Sequence, residues 1–199
     1  MAGLCFALAA GAAGNVVALA ASSPPTAENG YPAIGLGCAS GVPTQHMAHA
    51  MQLGFRAFDT AQAYQWGYQE HELGEAWQAS SIPRSELFLQ TKVHPDDLIR
   101  LAEVFPASLK NLRTDYVDSL LMHRPGPGWR DAWVAMEGLV QDGKAKHIGV
   151  SNFDAPLLRE LLDSVSKAVK PTVVQNWMGR TRLLALRSIA ALNHAVLGR

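Results

Sequence analysis

Asp59, Lys92, His123, the pair Ser151–Asn152 and Gln175 carry side chains that can do chemistry, and they recur at one kind of place in the chain. Each stands at or just past the C-terminal end of a different short β-like run. Together they offer a carboxylate, an ammonium, an imidazole, a hydroxyl and two amides, groups suited to proton transfer and to orienting a small polar molecule. Taken singly, each has an ordinary reading. Asp59 could cap a helix, Lys92 could lie on the surface, and His123 could sit in a satisfied turn before Arg124 and Pro125. Ser151–Asn152 could cap the helix that begins near Asp154. Five such positions in register are hard to set down to a polar rim. Other chemistries find no support: the histidines at 46, 49, 71, 94, 123, 147 and 194 make no HExxH or Cys/His pattern, so no metal is expected. Cys5 and Cys38 cannot build a disulfide framework, and no YxxxK pair occurs.

The elements that position these residues alternate in type. Residues 55–60 (FRAFDT), 87–93 (LFLQTKV), 116–122 (YVDSLLM), 145–150 and 172–175 read as strands. Residues 69–79, 96–112, 131–142 and 155–169 read as helices, with apolar positions 98, 101, 105, 109 and 112 on one face of the second. Alternation of this kind means βα units and a parallel sheet. Periodicity alone leaves a barrel and a doubly wound sheet both open. Polar residues at successive strand ends favour the barrel, where those ends meet on the face that carries active sites. A doubly wound fold would instead want a phosphate loop after its first strand. The nearest candidate, residues 35–41 (GLGCASG), is one residue too long and precedes no evident helix, so it reads as a turn. Trp77 and Trp133, at helical positions, read as packing residues.

The motifs resemble those of the aldo-keto reductase family. Residues 54–61 (GFRAFDTA) followed by Tyr64 resemble its GYRxxDTAxxY, and 87–92 resemble the strand that ends in its active-site lysine. Residues 108–118 (SLKNLRTDYVD), continuing to His123-Arg-Pro125, resemble SLxxLxxDYVDLxxxHxP. Residues 146–153 (KHIGVSNF) resemble KxIGVSNF, and 173–176 (VVQN) the short strand with a glutamine. The resemblance spans residues 33 to about 178 and implies NADPH-dependent reduction of an aldehyde or ketone on a (β/α)8 barrel. It implies Tyr64 as the proton donor, Lys92 as the cation that makes a phenol acidic enough to donate, and Asp59 as the partner of Lys92. His123 would orient and polarise the carbonyl, and Ser151, Asn152 and Gln175 would hold the nicotinamide carboxamide. Trp66, close to Tyr64, is the candidate for lining a substrate pocket. One stretch departs from the pattern. The family usually continues xNExxVG after its tyrosine, whereas here Gln65 to Gly74 runs about three residues longer and brings in Tyr68 as a rival acid.

The ends of the chain are composed differently. The 17 basic and 17 acidic residues cancel, giving no electrostatic reason to expect nucleic acid as a partner. Residues 1–27 carry no charged side chain; the apolar stretch within residues 1–21 reads as a possible secretory or organelle-targeting segment, with a cytoplasmic location otherwise. A membrane role beyond such a segment is not expected, and the oligomeric state is not legible. Residues 28–178 form the reductase-like part, and 179–199 a divergent basic tail. A full barrel takes about 250 residues. The expected fold is therefore a partial (β/α)8 TIM barrel of parallel strands, about five of eight βα units, in a C-terminally truncated chain. On that reading the loop that grips the 2′-phosphate of NADPH is absent. The competing expectation is a catalytically silent barrel fragment that acts as a binding or assembly partner.

Overall fold

The computed structural model describes Pro32 and residues 34–164 and 169–176. Its strands and helices alternate as the sequence predicts, and six strands follow chain order in one sheet, β1 to β6. This is part of a (β/α)8 barrel. The described residues divide into two compact units: the chain up to Thr91 together with Ala107–Val117, and Lys92–Pro106 together with residues from Asp118 on.

The first unit is built on β1 (Leu36–Gly37), β2 (Ala57–Asp59) and most of β3 (Phe88–Val93). The pairing is parallel, with Gly37 opposite Asp59 and Asp59 opposite Gln90. Helix α1 (Thr44–Gln52) buries Met47, Ala50 and Met51, the i, i+3, i+4 set that one helix face presents to a core. It packs on α2 (Glu70–Ser80), which buries Leu73, Ala76 and Trp77. The indole Nε1 of Trp77 donates to the carbonyl of Leu112 at 2.7 Å, so this large ring is buried without an orphaned N–H. Gly74 lies so close to the chain at Asn111 that a Cβ there would overlap the Asn111 carbonyl oxygen.

The second unit begins at Lys92 and passes through a 3₁₀ segment, Pro95–Arg100, into the first part of α3 (Leu101–Asn111), the helix returning to the first unit from Ala107. The second unit then takes in β4 (Val117–Met122), α4 (Trp129–Gln141), β5 (Ala145–Ser151), α5 (Ala155–Ser164) and β6 (Val173–Gln175). Every residue of β4 is buried, as expected of a strand covered on both faces. β5 and β6 pair in parallel, Gly149 opposite Val173 and Ser151 opposite Gln175. Phe153 meets Trp129 edge-on, ring centroids 5.6 Å apart.

The glycine-rich stretch at 35–41 is not merely a turn. It contains β1, and helix α1, unforeseen from the sequence, follows it. The physical reason is visible at the start of α1. Its N-cap, Pro43, offers no side-chain cap, and the N–H of Thr44 is satisfied by Glu72 Oε2 at 3.0 Å, from a helix 28 residues away. The predicted helix over 96–112 is a 3₁₀ segment followed by an α-helix, and the helix predicted over 155–169 is described as far as Ser164. Trp77 and Trp133 are buried packing residues. The leader over residues 1–27 and the basic tail over 179–199 lie outside the described residues.

Candidate active site

In the second unit the ends of three strands are tied together by one asparagine. The Asn152 backbone N–H donates to the carbonyl of Gln175 at 3.0 Å. Its side-chain Nδ2 donates to the carbonyl of His123 at 2.9 Å and lies 3.0 Å from the Ser151 hydroxyl. Asn152 thus brings the main chain at His123 and Gln175 together with Ser151 at the ends of β4, β5 and β6. Asn152 holds a left-handed backbone, φ 57°, a conformation open to glycine, asparagine and aspartate at small cost. The backbone of His123 is pinned in turn, its N–H donating to the Val93 carbonyl at 3.0 Å. Ser151–Asn152 does not cap α5; Asp154 does so, its Oδ1 accepting from the N–H of Leu157 at 3.0 Å. Lys92, ordinarily a surface residue, is buried at 2 % exposure at the end of β3.

In the first unit Asp59 ends β2, and its Oδ1 accepts from Gln90 Nε2 at 2.8 Å. Asp59 and Gln90 are register partners and share one face of the sheet. Thr91, next along β3, points to the other face. Its hydroxyl donates to Glu70 Oε1 at 2.6 Å. Glu70 is fully buried. Burial pushes its carboxyl above the ordinary range, and hydrogen bonds from Thr91, Asn111 and Tyr64 offset this only in part.

Tyr64 belongs to this second group. It lies on the 3₁₀ turn Tyr64–Trp66 after β2, and its hydroxyl receives the side-chain N–H of Asn111 at 2.6 Å and lies 3.5 Å from Glu70 Oε2. Burial, and then the Glu70 carboxyl beside it, push its phenol up to about 12. Its ring also faces the His71 imidazole, centroids 6.4 Å apart. Trp66 is exposed, at 38 %. Glu70 and Asn111 went unnoticed in the sequence, although Glu70 stands four residues before Gly74, where the xNExxVG pattern has its glutamate.

The donor set at Ser151–Asn152 suits a primary carboxamide. With Nδ2 of Asn152 held by protein acceptors, its Oδ1 remains to accept from an amide N–H₂, and the Ser151 hydroxyl, accepting from Nδ2, keeps its proton to donate to an amide carbonyl. No group of three or more metal-ligating side chains occurs among the described residues. No helix among them is long and apolar enough to cross a membrane.

Strands alternating with helices, with polar side chains gathered at the C-terminal strand ends, define an α/β-barrel protein of the kind that builds its active site there. Residues 43–190 match the model of the aldo/keto reductase family, and the chain belongs to that family. It is 42% identical over 129 residues to a methylglyoxal reductase of Salmonella typhimurium, an alignment covering 63% of this chain and 45% of that one. The chain thus spans about half the length of the curated relatives it matches. Among solved structures it resembles an aldo/keto reductase from Brucella melitensis, with a TM-score of 0.72 and 30% identity over 87% of this chain and 69% of the other. An aldo-keto reductase of Bombyx mori, solved in complex with NADP, matches with a TM-score of 0.72 and 27% identity over 86% of this chain and 64% of that one.

Proposed function

We propose that this chain belongs to an enzyme that reduces a small aldehyde or ketone to its alcohol with NADPH. The observation that supports the reading is the Ser151–Asn152 pair, suited to a carboxamide and hydrogen-bonded through Asn152 to the main-chain carbonyls of His123 and Gln175. NADPH, when bound, supplies the reducing equivalent; that is the cofactor's own chemistry. Ser151, Asn152 and Gln175 would hold the nicotinamide carboxamide and so present one face of its ring. His123 would hydrogen-bond the substrate oxygen, stabilising the negative charge that grows there as the carbonyl carbon is reduced.

The alkoxide must take a proton, and the donor in this family is a tyrosine on the loop after β2. The resemblance nominates Tyr64. Lys92 would lower the cost of leaving that phenol ionised, and Asp59 would compensate the lysine's charge. The name of the Salmonella relative points to 2-oxoaldehydes, compact dicarbonyls with little surface to bind. Trp66 would supply an apolar wall for them. The test is consumption of NADPH, followed by nicotinamide absorbance, on addition of methylglyoxal to the purified chain. Carbonyl-dependent consumption, lost in His123→Ala with NADPH still bound, supports the reading. Bound NADPH with no turnover of any aldehyde or ketone overturns it.

A further inference from the structure

His94 and His123 stand just past the ends of β3 and β4, and one hydrogen bond fixes how they are placed. The His123 N–H donates to the Val93 carbonyl at 3.0 Å. In a parallel pair the slanted ladder bonds each N–H to the residue before its own register partner. β5 and β6 show the pattern: Ser151 lies opposite Gln175, so Asn152 lies opposite Asn176, and the Asn152 N–H donates to the Gln175 carbonyl. By the same rule His123 lies opposite His94, and the pairing of β3 with β4 runs one step beyond both strands. Pro95 favours this, because a residue before proline is held extended, and His94 has φ −61° and ψ 143°.

Register partners send their side chains to the same face, from backbones about 4.8 Å apart. The two imidazoles therefore leave the sheet side by side, and alternation along β3 puts Lys92 on that face as well. Both histidines are buried. All three residues belong to the second unit. The His94 ring is held in one tautomer. Its Nδ1 accepts from the Asp96 N–H at 3.3 Å, which leaves the ring proton on Nε2 and makes Nε2 a donor. Asp96 Oδ2 stands 3.6 Å from the same Nδ1, beyond hydrogen-bond reach, on an exposed side chain. Among the described residues no third histidine, cysteine or carboxylate joins the pair to form a metal site. Two imidazoles placed side by side suit two oxygens on adjacent carbons.

We infer that His94 is a specificity-determining residue of this site. While His123 hydrogen-bonds the carbonyl oxygen that is reduced, the Nε2–H of His94 donates to an oxygen on the neighbouring carbon. The substrate class that follows is 1,2-dicarbonyls and 2-hydroxycarbonyls, favoured over simple aldehydes and ketones. A substrate with a single oxygen forgoes the second hydrogen bond, and that difference is the discrimination.

The inference rests on the reductase reading, and two measurements keep their fates apart. The first compares kcat/KM for methylglyoxal and propionaldehyde, three-carbon aldehydes that differ by the second oxygen, in the unaltered chain, His94→Asn and His94→Leu. The asparagine amide can still accept from the Asp96 N–H but falls short of the Nε2 position, and leucine removes both groups. Methylglyoxal is expected to lose about tenfold in either variant, and propionaldehyde to stay within about twofold. Hydration of the free aldehydes is common to all three chains and cancels. Should His94→Leu fail to fold, His94→Asn decides alone. Equal losses for the two substrates, or no loss for either, overturn the assignment.

The second measurement needs no turnover. Imidazole nitrogen resonances are followed by NMR, with oxidised NADP present, as hydroxyacetone or acetone is added. The His94 signal, one of seven, is the one missing from His94→Asn. Hydroxyacetone is expected to shift it, and acetone to leave it in place. No shift with hydroxyacetone, or equal shifts with both, overturns the assignment. A chain that reduces both aldehydes with the same ratio in every variant keeps the reductase reading and loses this one. A chain that reduces no carbonyl while hydroxyacetone alone shifts the His94 signal does the reverse.

Discussion

The side-chain amide of Asn152 donates to the main-chain carbonyl of His123 at 2.9 Å from a backbone held at φ 57°. One residue thereby sets both the turn that ends β5 and the spacing between β5 and β4. Asn152→Ala removes the amide and leaves a Cβ in a left-handed conformation, so a loss of about 1–3 kcal/mol is expected. Asn152→Gly removes the amide alone. Urea denaturation of both variants separates the two contributions, and equal midpoints would refute the backbone half of the account. NADPH affinity is expected to fall in both.

Glu70 gives a pH dependence with a definite sign. Burial raises its carboxyl pKa above the ordinary 4.5 in the folded chain. Between that value and the raised one, the unfolded chain has lost the proton while the folded chain keeps it. Stability is therefore fully present below about 4.5 and falls as pH rises through the folded pKa, with a slope of at most about 1.4 kcal/mol per pH unit. Glu70→Gln is neutral at every pH and still accepts from Thr91. Its denaturation midpoint is expected to lack this decline, and parallel profiles for the two chains would count against the assignment.

Gly74→Ala should destabilise. At an open helix position the change would be stabilising by about 1 kcal/mol. Here the new methyl overlaps the Asn111 carbonyl oxygen, so α2 must move from the chain beneath it, at a cost of about 1–3 kcal/mol. A thermal midpoint at or above that of the unaltered chain would show that the two segments separate freely.

Asp118 is buried in β4, and its Oδ1 lies 2.9 Å from the ammonium of Lys146 in β5. Lys146→Met removes the charge that compensates the carboxylate and should cost about 1–3 kcal/mol. Adding Asp118→Asn should recover part of that loss, a coupling measured by a double-mutant cycle. Additive losses would place the two side chains outside each other's influence.

Much of this was legible in the sequence because it is local. Strands 87–93, 116–122 and 145–150 announce themselves as short β-like runs between helical segments, and the ends of those runs locate Lys92, His123 and Ser151–Asn152. What escaped depends on residues far apart in the chain. Helix α1 carries no cap of its own, since Glu72 supplies it from α2. Glu70 looked like one more acid in a helical first turn, and its meaning comes from Thr91 and Asn111, 21 and 41 residues later. Lys92 in isolation looked like a surface lysine, and only the parallel sheet around its strand explains its burial. The hydroxyl direction of Tyr64 had no signature at all.

The alternation along β3 makes that strand a partition between two kinds of failure. Positions on the side of Gln90 touch the group that carries the proposed reaction, and those on the side of Thr91 touch the clasp that keeps the loop and helices in place. A mutational scan through Phe88–Val93 should therefore read as stripes. Alternate substitutions would yield folded chains without turnover, and those between them chains whose remaining activity is lost early on warming.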